Sequence, residues 1–104
     1  MESLEKKEWL NELYDYYGAL LTDKQQAYFE YYYREDYSLQ EIADVFHVTR
    51  NAVYDHLKKA EDHLVFYETH LKLKEKNKKR EELYHILEDK IDAKWIDALR
   101  KLDE

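Results

Sequence analysis

Apolar residues recur at helical spacing along almost the whole chain. Leu10, Leu13, Tyr14 and Tyr17 lie three or four residues apart and predict a first helix from about Ser3 to Ala19, with Gly18 near its end. Thr22-Asp23-Lys24-Gln25 has the capping-box pattern, in which the threonine accepts from the third helical amide and the glutamine reaches back. It opens a second helix carrying Tyr28, Phe29, Tyr32 and Tyr33 and fading at Glu35-Asp36. Ser38-Leu39-Gln40-Glu41 repeats the box and starts a short helix through Phe46, whose apolar positions are Leu39, Ile42, Ala43 and Phe46. His47-Val48 is a break, and Thr49 caps the next helix. From there Val53, Leu57, Ala60, Leu64, Tyr67 and Leu71 alternate steps of four and three, a heptad seam on a helix of about 25 residues. Leu83, Ile86 and Leu87 form a further helical stripe. Asp92 is placed to cap a last helix carrying Trp95, Ile96, Leu99 and Leu102.

Composition narrows the fold class. The 104 residues include no proline and one glycine, where average usage gives about 12 of the two together. Strand-rich folds need both at their turns, and phosphate-cradling loops need glycine, so an all-α bundle remains. The absence of cysteine excludes a disulfide framework, a thiolate zinc site and a cysteine nucleophile. The apolar runs are short, such as Leu64-Val65-Phe66, so no segment is expected to span a membrane. The acidic N-terminus has no apolar core segment of a secretory signal, and the expected compartment is the cytoplasm. Two parts are expected: a helix-turn-helix domain over residues 1–71, and a C-terminal helical extension over 72–104 packing on it.

The net charge of −7 is unevenly distributed. Residues 1–37 carry four basic and nine acidic groups, and residues 38–60 carry three of each. Within the remainder, Lys72 to Arg80 holds six basic groups against Glu75. Overall acidity opposes nonspecific nucleic-acid binding, so any such binding must come from local residues.

The third and fourth helices supply them. Two capped helices joined by a tight turn have helix-turn-helix spacing, with Ala43 where the helices cross, Val48 plugging the turn, and Val53 and Leu57 facing inward. The outward positions early in the second helix are Thr49, Arg50, Asn51, Tyr54 and Asp55, with Lys58 and Lys59 further on. Arginine and asparagine suit bidentate contacts to guanine and adenine edges. Thr49 and the helix N-terminus suit a phosphate, and Arg50, Lys58 and Lys59 would neutralise others. Asp55 places an anion on the same face. His47 stands in the turn where glycine is usual, so a left-handed backbone there is expected to be strained.

Several of these segments together are similar to one family. Leu20-Leu21-Thr22-Asp23-Lys24-Gln25, Tyr32 to Leu39, Glu41-Ile42-Ala43 and Val48 to Asp55 resemble the YlxM family of small bacterial proteins, over about residues 10–70. The resemblance implies a helix-turn-helix like region 4 of sigma factors. It also implies a gene neighbour encoding the GTPase of the signal recognition particle, and a regulatory or accessory role in that pathway. Where the family often has glutamine after Arg50, this chain has Asn51, which keeps an amide fork. Two functions are compatible with these residues. One is a DNA- or RNA-binding regulator. The other is a non-enzymatic module whose acidic, tyrosine-rich surface binds the GTPase, with the helix-turn-helix as scaffold.

The remaining constellations have simpler explanations. His56, His63 and His70 are spaced by seven, one before each of Leu57, Leu64 and Leu71, about 10 Å apart along the axis, too far to chelate a metal from one helix. They flank the seam, either as exposed polar residues or as a pH-sensitive row. Glu82 and His85 form one Glu-x-x-His pair where di-iron bundles need two, so no metal or other cofactor is expected. Of five Ser/Thr residues, Thr22, Ser38 and Thr49 are committed to capping, which leaves a hydroxyl nucleophile poorly supplied and predicts no enzyme. The tyrosines from Tyr28 to Tyr37 suit core packing or an interface better than base stacking, given Glu30, Glu35 and Asp36 among them. The basic run suits RNA, an acidic partner or a solvated helix. The seam of Val53, Leu57, Leu64, Tyr67 and Leu71 needs cover, expected from the C-terminal helices or from a second copy in a homodimer.

Overall fold

A computed structural model describes residues 3–103, and these are helical with no strand among them. They fall into two compact units, residues 1–72 and 73–104.

The first unit contains α1 (Leu4–Tyr17), α2 (Asp23–Tyr33), α3 (Leu39–Phe46) and α4 (Arg50–Leu71). Side-chain hydroxyls punctuate it. Ser3 accepts from the amide of Lys6, Thr22 from Gln25, Ser38 from Glu41 and Thr49 from Ala52. At Thr22 and Ser38 both halves of the capping box form, Gln25 and Glu41 reaching back to the cap amides. The fifth hydroxyl, Thr69, donates to the carbonyl of Val65 within α4. Every Ser/Thr oxygen therefore serves helix geometry, Ser3 and Thr69 as well as the three expected.

The first helix stops two residues early because the chain tightens into a 3-10 turn, Gly18–Leu20. Gly18 is not left-handed there (φ −56°, ψ −36°). Its role is close approach: a Cβ would stand 2.9 Å from the Tyr14 ring. Gln26 closes the turn by donating to the carbonyls of Gly18 (2.8 Å) and Leu21 (3.3 Å). The left-handed positions are Asp36, His47 and Lys72, all non-glycine and each following a helix.

Leu10, Leu13 and Tyr17 from α1, Tyr28 and Phe29 from α2, Ile42 and Ala43 from α3, and Val53, Leu57, Ala60 and Leu64 from α4 form one core. At about 1.5–3 kcal/mol for each large apolar side chain removed from water, this core dominates the unit's stability. The heptad seam therefore has a different partner from the one expected. Val53, Leu57 and Leu64 are covered by α1, α2 and α3, Tyr67 lies 5.9 Å from the Tyr17 ring, and Leu71 at the end of α4 remains exposed. Neither the C-terminal helices nor a second copy is needed to cover the buried part. A heptad step marks one face of a helix, and three short helices can cover it as well as one long one.

The tyrosines also turn inward. Tyr14 stacks on Phe29 at 4.5 Å, Phe29 on Tyr33 at 4.5 Å, and Tyr28 meets Phe46 edge-on at 4.9 Å. Their hydroxyls reach carboxylates at the edge of the core: Tyr14 donates to Glu30 (2.9 Å), Tyr17 to Glu68 (2.7 Å) and Tyr33 to Glu61. Burial, reinforced by the Glu30 carboxylate, pushes the Tyr14 phenol up to about 12. The tyrosine-rich acidic surface expected as a docking face is thus largely core and core edge.

The second unit is a helical hairpin of α5 (Leu73–Glu88) and α6 (Ala93–Leu102), with Asp92 capping α6 through the Lys94 amide. Its buried apolar residues are Tyr84 and Ile96. The expected stripes are mostly outside: Leu83, Ile86, Trp95 and Leu102 are 58–82% exposed. Ion pairs hold the rim, with Arg100 on Glu81 (3.3 Å) and Glu88 (2.9 Å), and Arg80 on Asp103 (3.0 Å), which also accepts from the Tyr84 hydroxyl (3.2 Å). The Arg100 guanidinium holds the Glu88 carboxyl below its usual value.

Candidate nucleic-acid interface

The turn between α3 and α4 is built from the break at His47-Val48. His47 adopts φ 56° and ψ 44°, and its amide and that of Val48 both return to the Ala43 carbonyl. The left-handed residue closes α3 without a glycine, at a steric cost of about 1–2 kcal/mol. Ala43 is 1% exposed at the contact between the two helices, and Val48 packs against the core. Val53 and Leu57 anchor the inner face of α4. These inward residues fix which α4 side chains face outward.

The outward set is Thr49, Arg50, Asn51, Tyr54, Asp55, Lys58 and Lys59, all exposed. Tyr54 is 55% exposed, an aromatic ring left in solvent beside a well-filled core. Thr49 Oγ1 already accepts from the Ala52 amide (3.1 Å), which leaves its O–H able to donate to an anion. Lys58 reaches Asp62 at 3.3 Å, and the hydrogen bond to that carboxylate raises the ammonium pKa. The expected residues are therefore all exposed along the start of α4, with Asp55 and Asp62 as exposed anions on the same helix.

Beside this surface lies an open groove of about 740 Å³. Arg50, Tyr54 and Lys58 form its α4 wall, Tyr32 and Leu39 contribute from α2 and α3, and Lys6 enters from α1. Lys6 was invisible as a member of this set because it lies in the acidic first third of the chain. Only the placement of α1 across from α4 brings it there.

The other candidates separate from this surface. His56 meets the Tyr28 ring edge-on at 5.5 Å, His63 Nδ1 lies 3.5 Å from the Gln25 amide, and His70 Nδ1 lies 2.8 Å from the Phe66 carbonyl. Each histidine thus has its own partner within the first unit. In the basic run, Lys79 pairs with Glu75 (3.3 Å) and Arg80 with Asp103, so two of its charges are used inside the second unit. His85 Nδ1 lies 3.4 Å from Glu88. No cluster of metal-ligating side chains occurs among the described residues, and no described helix is long and apolar enough to cross a membrane.

Comparison with known proteins identifies a helix-turn-helix family. Residues 4–102 match the family described as "Putative helix-turn-helix protein, YlxM / p13 like". The chain is 44% identical to the UPF0122 protein YlxM of Bacillus subtilis (strain 168), with 97% of this chain and 99% of that protein aligned. It is 44% identical to a UPF0122 protein of Geobacillus sp. (strain WCH70), with 97% of each covered. It is 46% identical to a UPF0122 protein of Listeria monocytogenes serotype 4b, covering 86% of this chain and 82% of that one. With nearly its full length aligned at this identity, the chain belongs to the YlxM / p13 like helix-turn-helix family.

Proposed function

We propose that the protein is a nucleic-acid-binding regulatory or accessory factor that uses α3 and α4 as its helix-turn-helix. The observation that carries this is the exposed row at the start of α4, where a buried inner face holds Arg50, Asn51 and Tyr54 outward at a helix N-terminus. In this role Arg50 and Asn51 reach base edges and Tyr54 packs against a base or sugar. Thr49 and the first amides of α4 hold one phosphate, and Lys58 and Lys59 neutralise others. The family resemblance supports a setting in the cytoplasmic signal recognition particle pathway. Titration with duplex DNA and with the particle's RNA at two salt concentrations tests the reading. Arg50→Ala and Asn51→Ala should each lower affinity for the preferred ligand by about 1–3 kcal/mol; unchanged affinity in both would reject it.

A second reading is favoured by the exposed Leu83, Ile86, Trp95 and Leu102 of the second unit. Apolar side chains left in solvent at this density suit a protein partner, either a second copy or the particle's GTPase, with the helix-turn-helix as scaffold. Sedimentation of the protein alone and with the GTPase, for wild type and Leu83→Glu, separates these occupants.

A further inference from the structure

We infer that the groove beside the recognition helix is a seat for the phosphodiester backbone of a bound nucleic acid, with Lys6 of α1 as a phosphate contact outside the helix-turn-helix. This rests on the nucleic-acid reading above and extends it to a second element. The groove lining brings three cations, Lys6, Arg50 and Lys58, around one carboxylate, Glu61, and Lys58 also pairs with Asp62 at 3.3 Å. Glu61 in turn accepts a hydrogen bond from the Tyr33 hydroxyl, which fixes the position of its carboxylate. This cationic excess runs against the rest of the molecule, since residues 1–37 carry nine acids to four bases and the chain as a whole is −7. Tyr32 and Tyr54 add aromatic surface to the lining, able to pack against sugars as the strand passes.

The shape and the charge agree on the occupant. An open volume of about 740 Å³, lined by residues of α1, α2, α3 and α4, has room for more than a single ion. Lys6 stands apart from Arg50 and Lys58 in sequence, so its position gives a contact that no recognition-helix substitution would remove. A backbone lying there would leave Arg50 at the boundary between the groove and the base edges, where it can serve either.

The shared chemistry is the phosphodiester, and duplex DNA and duplex RNA are its two sources. Fluorescence anisotropy with labelled DNA and RNA duplexes of mixed sequence, at salt concentrations from about 50 to 200 mM, distinguishes them. With the ligand that binds, Lys6→Gln and Lys58→Gln should each flatten the slope of log affinity against log salt by about 0.9. Lys24→Gln, an exposed α2 lysine away from the groove lining, should leave it unchanged. Circular dichroism of each variant checks that the fold is retained, and Lys6→Glu should weaken binding further than Lys6→Gln. If Arg50→Ala weakens binding while both Lys6 variants leave affinity and slope unchanged, the groove inference is overturned and the recognition-helix reading stands. If wild type binds neither duplex, or Arg50→Ala and Lys6→Gln are both without effect, the two fall together.

Discussion

The two units make their helices in the same way and stabilise them differently. In residues 1–72 the apolar faces of four helices meet in a continuous core that includes Leu10, Tyr17, Phe29, Ile42 and Leu64, each essentially unexposed. In residues 73–104 two helices of similar amphipathic pattern bury Tyr84 and Ile96 and leave the rest of their apolar residues in solvent. Periodicity thus predicts a helix in both places, but only packing partners convert it into burial. The second unit relies on ion pairs whose side chains are 30–42% exposed, and such pairs contribute little, typically under about 1 kcal/mol each. A hairpin of that size lies below the range in which a single apolar core sustains independent folding.

The sequence offers a way to watch each unit separately, since Trp9 lies in the first and Trp95 in the second. In a Trp95→Phe background, Leu64→Ala should shift the urea transition of Trp9 by about 3 kcal/mol, because it opens a cavity in a core with no exposure at that site. In a Trp9→Phe background, Leu83→Ala should move the Trp95 transition by less than about 0.5 kcal/mol. Equal shifts would break the contrast. Next in size is Gly18→Ala, expected to cost about 2 kcal/mol. The Tyr14 ring that the new methyl would meet is stacked on Phe29 and bonded to Glu30, so it has little room to yield.

Titration sharpens the comparison further. The folded-state pKa of Tyr14 is raised from 10.0 to about 12, so its contribution is complete below pH 10 and is lost as pH climbs through 12. The Trp9 signal should therefore show a destabilising alkaline limb in urea melts, and Tyr14→Phe should remove it. Tyr84 is raised in the same direction, so an alkaline limb alone does not tell the units apart. The acid side is specific to named groups of the second unit. Glu88 is lowered from 4.5 by Arg100, so its contribution is present above pH 4.5 and fades as pH falls through its folded value. Arg100→Gln should abolish that acid dependence in the Trp95 signal. A modest gain of about 1 kcal/mol is expected from His47→Gly, through relief of the left-handed backbone.

Local features of this fold were legible from sequence because they involve neighbours. The caps at Thr22, Ser38, Thr49 and Asp92 join groups two or three residues apart, and the break at His47 arises from the chemistry of its own turn. Features that join distant segments were not. The bonds of Tyr14 to Glu30 and Tyr17 to Glu68 span 16 and 51 residues, and neither partner carries a local mark of the other. The heptad seam was visible as a face, but nothing in it specified three short helices as its cover. Within the candidate interface, the α4 residues were legible from their spacing, and Lys6 was hidden because averaging charge along the chain erases what folding collects.

The acidity of the chain acquires another meaning from the tyrosine hydroxyls. Glu30, Glu61, Glu68 and Asp103 each accept a hydrogen bond from a tyrosine anchored in one of the two units. The first three act as latches between helices, α1 to α2, α2 to α4 and α1 to α4, and the fourth ties α5 to the end of α6. Part of the negative charge is therefore also structural, since each of these carboxylates keeps its charge while holding two segments together. Attempts to improve nucleic-acid binding by neutralising acids at random would loosen these latches first, whereas Asp55 and Asp62, on the outward face of α4, are the acids whose removal changes the field that a ligand meets.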